Sequence, residues 1–134
     1  MIFLDTSFIF ALASEEDINH RKAADLFKLA VDNGEDLVLH NYIVVECLAL
    51  FDRRLGRVAA QELLSSVKKF RIHWITLEEH TLAAEVFAAT SSKRYSFIDI
   101  ISFLFMRSYG ISEYLSFDSD FDKEGFKMFG WKIH

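Results

Sequence analysis

The sequence predicts an α/β fold built on a mainly parallel sheet. Short apolar runs at residues 2–4, 37–39, 72–75, 114–117 and 131–133 have strand length, while the stretches between them carry helical spacing. Strands that alternate with helices are joined by crossover connections, and crossovers leave neighbouring strands parallel. A chain of 134 residues that is 51% hydrophobic can bury a real core, so one domain over 1–134 is expected. Proline is absent, and no Gly/Ser tract or internal repeat marks a linker.

The helices follow in order. Ala23, Ala24, Leu26, Phe27, Ala30 and Val31 repeat at i, i+3, i+4 and i+7, and Gly34 is placed as a stop. Asn41 is positioned to cap a helix through Leu55 that ends at Gly56. A further helix is expected from Arg57 to Phe70, with Leu63, Leu64 and Val67 turned inward. Thr76 and Glu79 form a capping box for a helix reaching about Ala89, and Ser96 with Asp99 forms a second box opening a helix that stops at Gly110.

Four acids interrupt or close apolar runs: Asp5 after MIFL, Glu46 inside YIVVECLAL, Asp99 inside FIDIISFLFM and Asp118 after YLSF. Carboxylates are rarely buried unless paired or metal-bound, so four in such places point to one shared task. In an open parallel sheet ligands bind beyond the carboxyl ends of the strands, where Asp5 and Asp118 are expected to lie. Gathered there, the acids would make a pocket for hard divalent cations and hence for phosphodiester chemistry. Each also has an ordinary reading. Asp5 can cap a helix starting at Thr6, Asp99 can serve only its capping box, Asp118 can open a turn, and Glu46 can pair with Arg53 or Arg54.

Other chemistries are excluded by spacing. A calcium loop starting at Asp118-x-Asp120-x-Asp122 would need a glycine where Lys123 stands and a glutamate where Phe129 stands. GxxxxGK[ST], GxGxxG and HExxH do not occur, and His20, His40, His73, His80 and His134 lack metal-ligand spacing. A receiver-type phosphoacceptor site needs paired acids after the first strand, whereas Thr6 follows Asp5. Phe8, Phe97, Phe103, Phe105 and Phe117 fit a core or a subunit contact better than a base-stacking platform. Cys47, the lone cysteine, reads as a small buried hydrophobe suited to a reducing, cytoplasmic setting.

The opening MIFLDTSFIFALAS lacks the basic residues of a secretory leader, and the apolar stretch 97–106 contains Asp99 and falls far short of the ~20 residues of a membrane span. The net charge of −5 argues against a nucleic-acid partner. Two divalent cations at the acids would reverse that locally, and Arg53-Arg54-Arg57, Lys68-Lys69-Arg71 and Lys93-Arg94 are the candidate phosphate contacts.

The whole pattern resembles the PIN-domain family of metal-dependent nucleases, in particular its small VapC-type toxins. The resemblance is carried by MIFLDTSFIFAL with Asp5 and Ser7, by YSFIDIISFLFMRSYGI with Ser96 and Asp99, and by YLSFDSDFDKEGF with Asp118, Asp120 and Phe121. Glu46 matches the family's acid in the helix after the second strand, and Asn41 stands where many relatives carry a hydroxyl. The resemblance implies a three-layer α/β/α domain with a central five-stranded parallel sheet, its carboxylates at one edge. It also implies an endoribonuclease, an antitoxin protein that holds it, and a homodimer. An all-carboxylate site selects Mg²⁺, with Mn²⁺ able to substitute, for hydrolysis by metal-activated water. The expected metal ligands are Asp5, Asp99 and Asp118, with Glu46 binding directly or through a water; Ser7, Ser96 and Asp120 would fix their orientation. The rival reading is a catalytically silent PIN-like module that binds protein or RNA.

Overall fold

A computed structural model describes residues 1–91 and 94–130. Five strands form one sheet in the order β3-β2-β1-β4-β5: β1 (Ile2–Leu4), β2 (Leu37–His40), β3 (Arg71–His73), β4 (Glu113–Leu115) and β5 (Lys127–Met128). Every pairing is parallel. Among the described residues seven α-helices flank it: α1 (Thr6–Ala13), α2 (His20–Asp32), α3 (Asn41–Arg54), α4 (Arg57–Ser66), α5 (Leu77–Ala89), α6 (Phe97–Ser108) and α7 (Asp120–Lys123). This is the expected three-layer α/β/α architecture. Helix α1 packs on α2 and α3, α3 on α4, and α5 on α6.

The central strands β1 and β2 are buried throughout, and apolar except for His40, because helices cover both faces of the sheet. Ile2, Phe3 and Leu4 are all buried, as are Leu37, Val38 and Leu39. Phe121 of α7 is also fully buried, with its ring 5.8 Å from Phe3, 5.1 Å from Phe103 and 4.9 Å from Tyr114. A helix of four residues has no stability of its own, so this anchor holds α7 in place.

Chain order sets the site. From β1 the chain moves outward through β2 and β3, then returns to add β4 and β5 on the other side of β1. The reversal falls between β1 and β4, where connections leave in opposite directions and open a crevice at the strands' carboxyl ends. Leu4 pairs with Leu115, and the Asp5 N–H donates to the Leu115 carbonyl at 3.1 Å. Asp5 and Ser116 therefore emerge side by side.

Several local expectations needed correction. The α3 cap is His40, which still has extended backbone and whose Nδ1 accepts from the Ile43 N–H at 3.3 Å. Asn41 is already helical, and its Oδ1 accepts from the Ile75 N–H at 2.7 Å, tying α3 to the segment after β3. The helix begun at Arg57 ends at Ser66 and tightens into a 3-10 turn over Val67–Lys69, which buries Val67 and leaves Lys68 and Lys69 in solvent. Leu63 is buried as expected, but its neighbour Leu64, one position round the helix, is 49% exposed. Strand β3 stops at His73, β4 stops at Leu115, and β5 is Lys127–Met128; the strand expected at 131–133 lies outside the described residues. Both capping boxes form with reciprocal hydrogen bonds.

His40, fully buried, also joins the helices that carry two of the acids. Its Nε2 lies 2.9 Å from Ser102 Oγ, and that hydroxyl donates to the Ile98 carbonyl at 2.9 Å. Since the Ser102 proton is committed to Ile98, His40 must donate from Nε2 and accept at Nδ1, which makes it neutral. Burial agrees, lowering its pKa to about 3, with the charge of His73 adding to the effect. The start of α3 is thus pinned to α6 one turn after Asp99.

Candidate active site

Asp5 follows β1 directly and occupies the position before α1, but its side chain does not cap that helix. Its Oδ2 accepts from Ser116 Oγ at 2.8 Å and lies 3.1 Å from Ser7 Oγ. Ser7 Oγ also accepts from the Phe117 N–H at 3.0 Å, and Ser116 Oγ from the Asp118 N–H at 3.0 Å. One buried hydroxyl, Ser116, thereby bridges the acid after β1 to the acid after β4. Burial raises Asp5 to about 6 despite the lowering effect of Ser116, Ser7 and the Thr6 N–H, and the charge of Glu46 raises it further.

Glu46 lies over one turn into α3, and Thr6 Oγ1 donates to its Oε1. Thr6 is buried, and that hydrogen bond turns Glu46 inward from a helix whose neighbouring Val45 is 63% exposed. Cys47 sits beside this group, and burial pushes its thiol up to about 12, so it is protonated at neutral pH.

Asp99 and Ser96 keep their capping box, with the Ser96 N–H donating to Asp99 Oδ2 at 2.9 Å and the Asp99 N–H to Ser96 Oγ at 3.1 Å. Burial raises the Asp99 pKa, and the charges of Asp118 and Asp120 act in the same direction. Asp118 Oδ1 accepts from the Asp120 N–H at 2.9 Å, the turn its sequence suggested. Asp120 Oδ1 lies 3.5 Å from Arg94 Nε and 3.8 Å from Lys123 Nζ. Of the other basic clusters, Arg57 pairs with Asp52 at 2.7 Å and Arg71 with Asp36 at 3.4 Å; Lys93 lies outside the described residues.

The acids thus form two neighbouring groups, Asp5 with Glu46 and Asp99 with Asp118 and Asp120, linked through Ser116. Among the described residues no three Asp, Glu, His or Cys side chains stand together in a cluster ready to hold a metal ion. Each acid is turned onto a protein donor. The donor chemistry nevertheless fits a hard cation, because the available ligands are carboxylate and hydroxyl oxygens without imidazole or thiolate. Thr6 and Ser116 escaped the sequence reading. Thr6 adjoins Asp5 and Ser116 closes the YLS run, but nothing in the sequence says that these two hydroxyls face carboxylates 40 and 111 residues away.

Residues 2–127 match the PIN domain family model, and the chain belongs to the PIN-domain family. It is similar to the 23S rRNA-specific endonuclease VapC20 of Mycobacterium tuberculosis, in strains CDC 1551 / Oshkosh and H37Rv alike, at 34% identity over 130 residues, covering 94% of this chain and 95% of the relative. The crystal structure of Mycobacterium tuberculosis VapC20, described as a toxin that cleaves the sarcin-ricin loop, aligns with a TM-score of 0.81 at 30% identity, over 94% of this chain and 96% of that one.

Proposed function

We propose that this chain is an endoribonuclease that hydrolyses a phosphodiester with the help of a divalent cation, Mg²⁺ or in its place Mn²⁺. The observation that carries the reading is the Asp5–Ser116–Asp118 connection across the β1/β4 crevice, in a member of the PIN-domain family. Asp5, Asp99 and Asp118 would hold the cation, with Glu46 joining directly or through a water. When bound, such a cation activates water for attack on phosphorus and neutralises charge on the departing oxygen.

The chain's own residues prepare that chemistry. Ser116 and Ser7 fix the Asp5 carboxylate, Thr6 fixes Glu46, and Ser116 with the Asp120 N–H orients the Asp118 turn. Asp5, raised to about 6, carries its negative charge at neutral pH and above. Kinship to a 23S rRNA endonuclease described as a toxin supports ribosomal RNA as the substrate class and a toxin's role; an antitoxin protein as partner and a homodimer extend that proposal on the strength of membership of the PIN-domain family. The test is cleavage of structured and unstructured RNA with and without chelation. Asp5→Asn and Asp99→Asn should each abolish divalent-dependent cleavage, by a hundredfold or more, while far-UV circular dichroism stays unchanged. Full activity in both variants would remove these residues from the mechanism and favour a silent binding module.

A further inference from the structure

Four aromatic rings stand together at the surface near the acidic edge. Tyr42 is the second residue of α3 and Phe97 the first of α6, so both come from the helix starts that also carry Glu46 and Asp99. His80 and Phe87 of α5 complete the group. Ring centroids are 5.2 Å apart for His80 and Phe97, 5.7 Å for Phe87 and Phe97, 5.8 Å for Tyr42 and His80, and 6.5 Å for Tyr42 and Phe97. The Tyr42 hydroxyl lies 2.6 Å from His80 Nδ1. Phe87 is 47% exposed, His80 is exposed, and Tyr42 and Phe97 are half-buried. Edge contacts and a hydrogen bond therefore fix these rings while leaving part of their surface in water.

A second feature borders the same acids. Arg94 and Lys123 both reach the Asp120 carboxylate, and the Arg94 guanidinium also lies 5.3 Å from the Tyr95 ring centre. Sites for single-stranded nucleic acid combine cations that follow the phosphates with rings on which bases stack. Positions 97 and 99 leave a helix about 200° apart, so the Phe97 ring and the Asp99 carboxylate project from opposite sides of one turn. Tyr42 and Phe97 open the two helices that carry Glu46 and Asp99, so the rings and the acids share the edge of the sheet at the strands' carboxyl ends.

We infer that Tyr42, His80, Phe87 and Phe97 form a stacking platform for unpaired bases of the RNA substrate, with Arg94 and Lys123 contacting its flanking phosphates. The inference rests on the ribonuclease reading and adds a substrate preference: the bound strand is locally unstacked. Phe97 keeps the expected core contact, packing against the cluster of Ala83, Ile100 and Ile101, and the platform adds a role for the part of its ring left in water.

The test is binding of a fluorescently labelled 12-nucleotide single-stranded RNA to the full chain in chelator, followed by anisotropy, with KM for its cleavage measured in Mg²⁺. The Phe87→Leu/Phe97→Leu double variant should bind about tenfold more weakly. Introducing an abasic site at the stacked position should weaken the wild type similarly and the variant much less, a coupling that general destabilisation cannot produce. Arg94→Gln and Lys123→Gln should each lower the slope of log affinity against log salt by about 0.7. Should the double variant fail to fold, Phe87→Leu alone, at an exposed site, supplies the same comparison. Equal affinity for wild type and variant overturns the inference, as does a ring-dependent change in sedimentation mass with RNA affinity unchanged, which would assign the rings to a second copy. If the wild type does not cleave but ring-dependent binding persists, the catalytic reading fails and the platform stands. Cleavage with KM unmoved by ring loss does the reverse, and a wild type that neither binds nor cleaves removes both.

Discussion

At the residue scale, Asp5 is the position where folding and chemistry oppose one another. Its pKa rises from 3.8 to about 6 chiefly through burial, so between those values the folded chain holds a proton the unfolded chain has lost. Stability therefore falls as pH rises from about 4 to 6, and the full penalty, about 3 kcal/mol, is present above 6. Asp5→Asn removes the charge and keeps the shape. In chelator it should melt well above the wild type near neutral pH, with the difference vanishing towards pH 4. A gap of the same size at both ends would show that ionisation of Asp5 is not its cause. Much of this residue's situation was readable in advance, because an acid closing an apolar strand is an exception to ordinary burial. Its partners were not readable, since hydroxyls are common and only folding brings Ser116 alongside.

The two capping boxes offer a comparison at the element scale. Thr76 with Glu79 and Ser96 with Asp99 make the same pair of reciprocal hydrogen bonds, one opening α5 and the other α6. Loss of either cap hydroxyl should cost about 1 kcal/mol of stability. Only the second box contains a proposed cation ligand. Ser96→Ala should therefore lower kcat/KM for RNA cleavage as well as the urea midpoint, whereas Thr76→Ala should lower the midpoint alone. Equal losses of activity would mean that helix stability, not the setting of Asp99, links Ser96 to catalysis. Both boxes were legible because each lies within four consecutive residues. The α3 cap was misassigned for the opposite reason: Asn41 has a partner at Ile75, 34 residues away, and His40 takes the cap in its place.

On the scale of the whole molecule, charge is the unusual quantity. A net −5 with Asp5, Glu46, Asp99, Asp118 and Asp120 drawn to one side stores repulsion that a cation would relieve. Any ion bound by the folded chain and not by the unfolded one must stabilise it, by about 2.7 kcal/mol at a hundred times its Kd. Mg²⁺ should raise the melting temperature of the wild type more than that of Asp118→Asn. Identical shifts would argue that the acids share no cation site. Further, the raised Asp5 and Asp99 should compete with protons for the cation, so the Mg²⁺ shift should weaken as pH falls below about 6.

The alternation of the first four strands with helices along the chain, the parallel sheet, both capping boxes and the identity of the unusual acids were determined by the sequence alone, whereas α7 and the strand at Lys127–Met128 were not. The former follow from hydrophobic period and short-range hydrogen bonding, which act within a few residues of one another. Tertiary structure decided the β1/β4 crevice, the bridging by Ser116, the hold of Thr6 on Glu46 and the gathering of Tyr42, His80, Phe87 and Phe97. Each of these depends on strand order and on contacts between residues far apart in the chain, where the local pattern is the same whether the side chains meet or not.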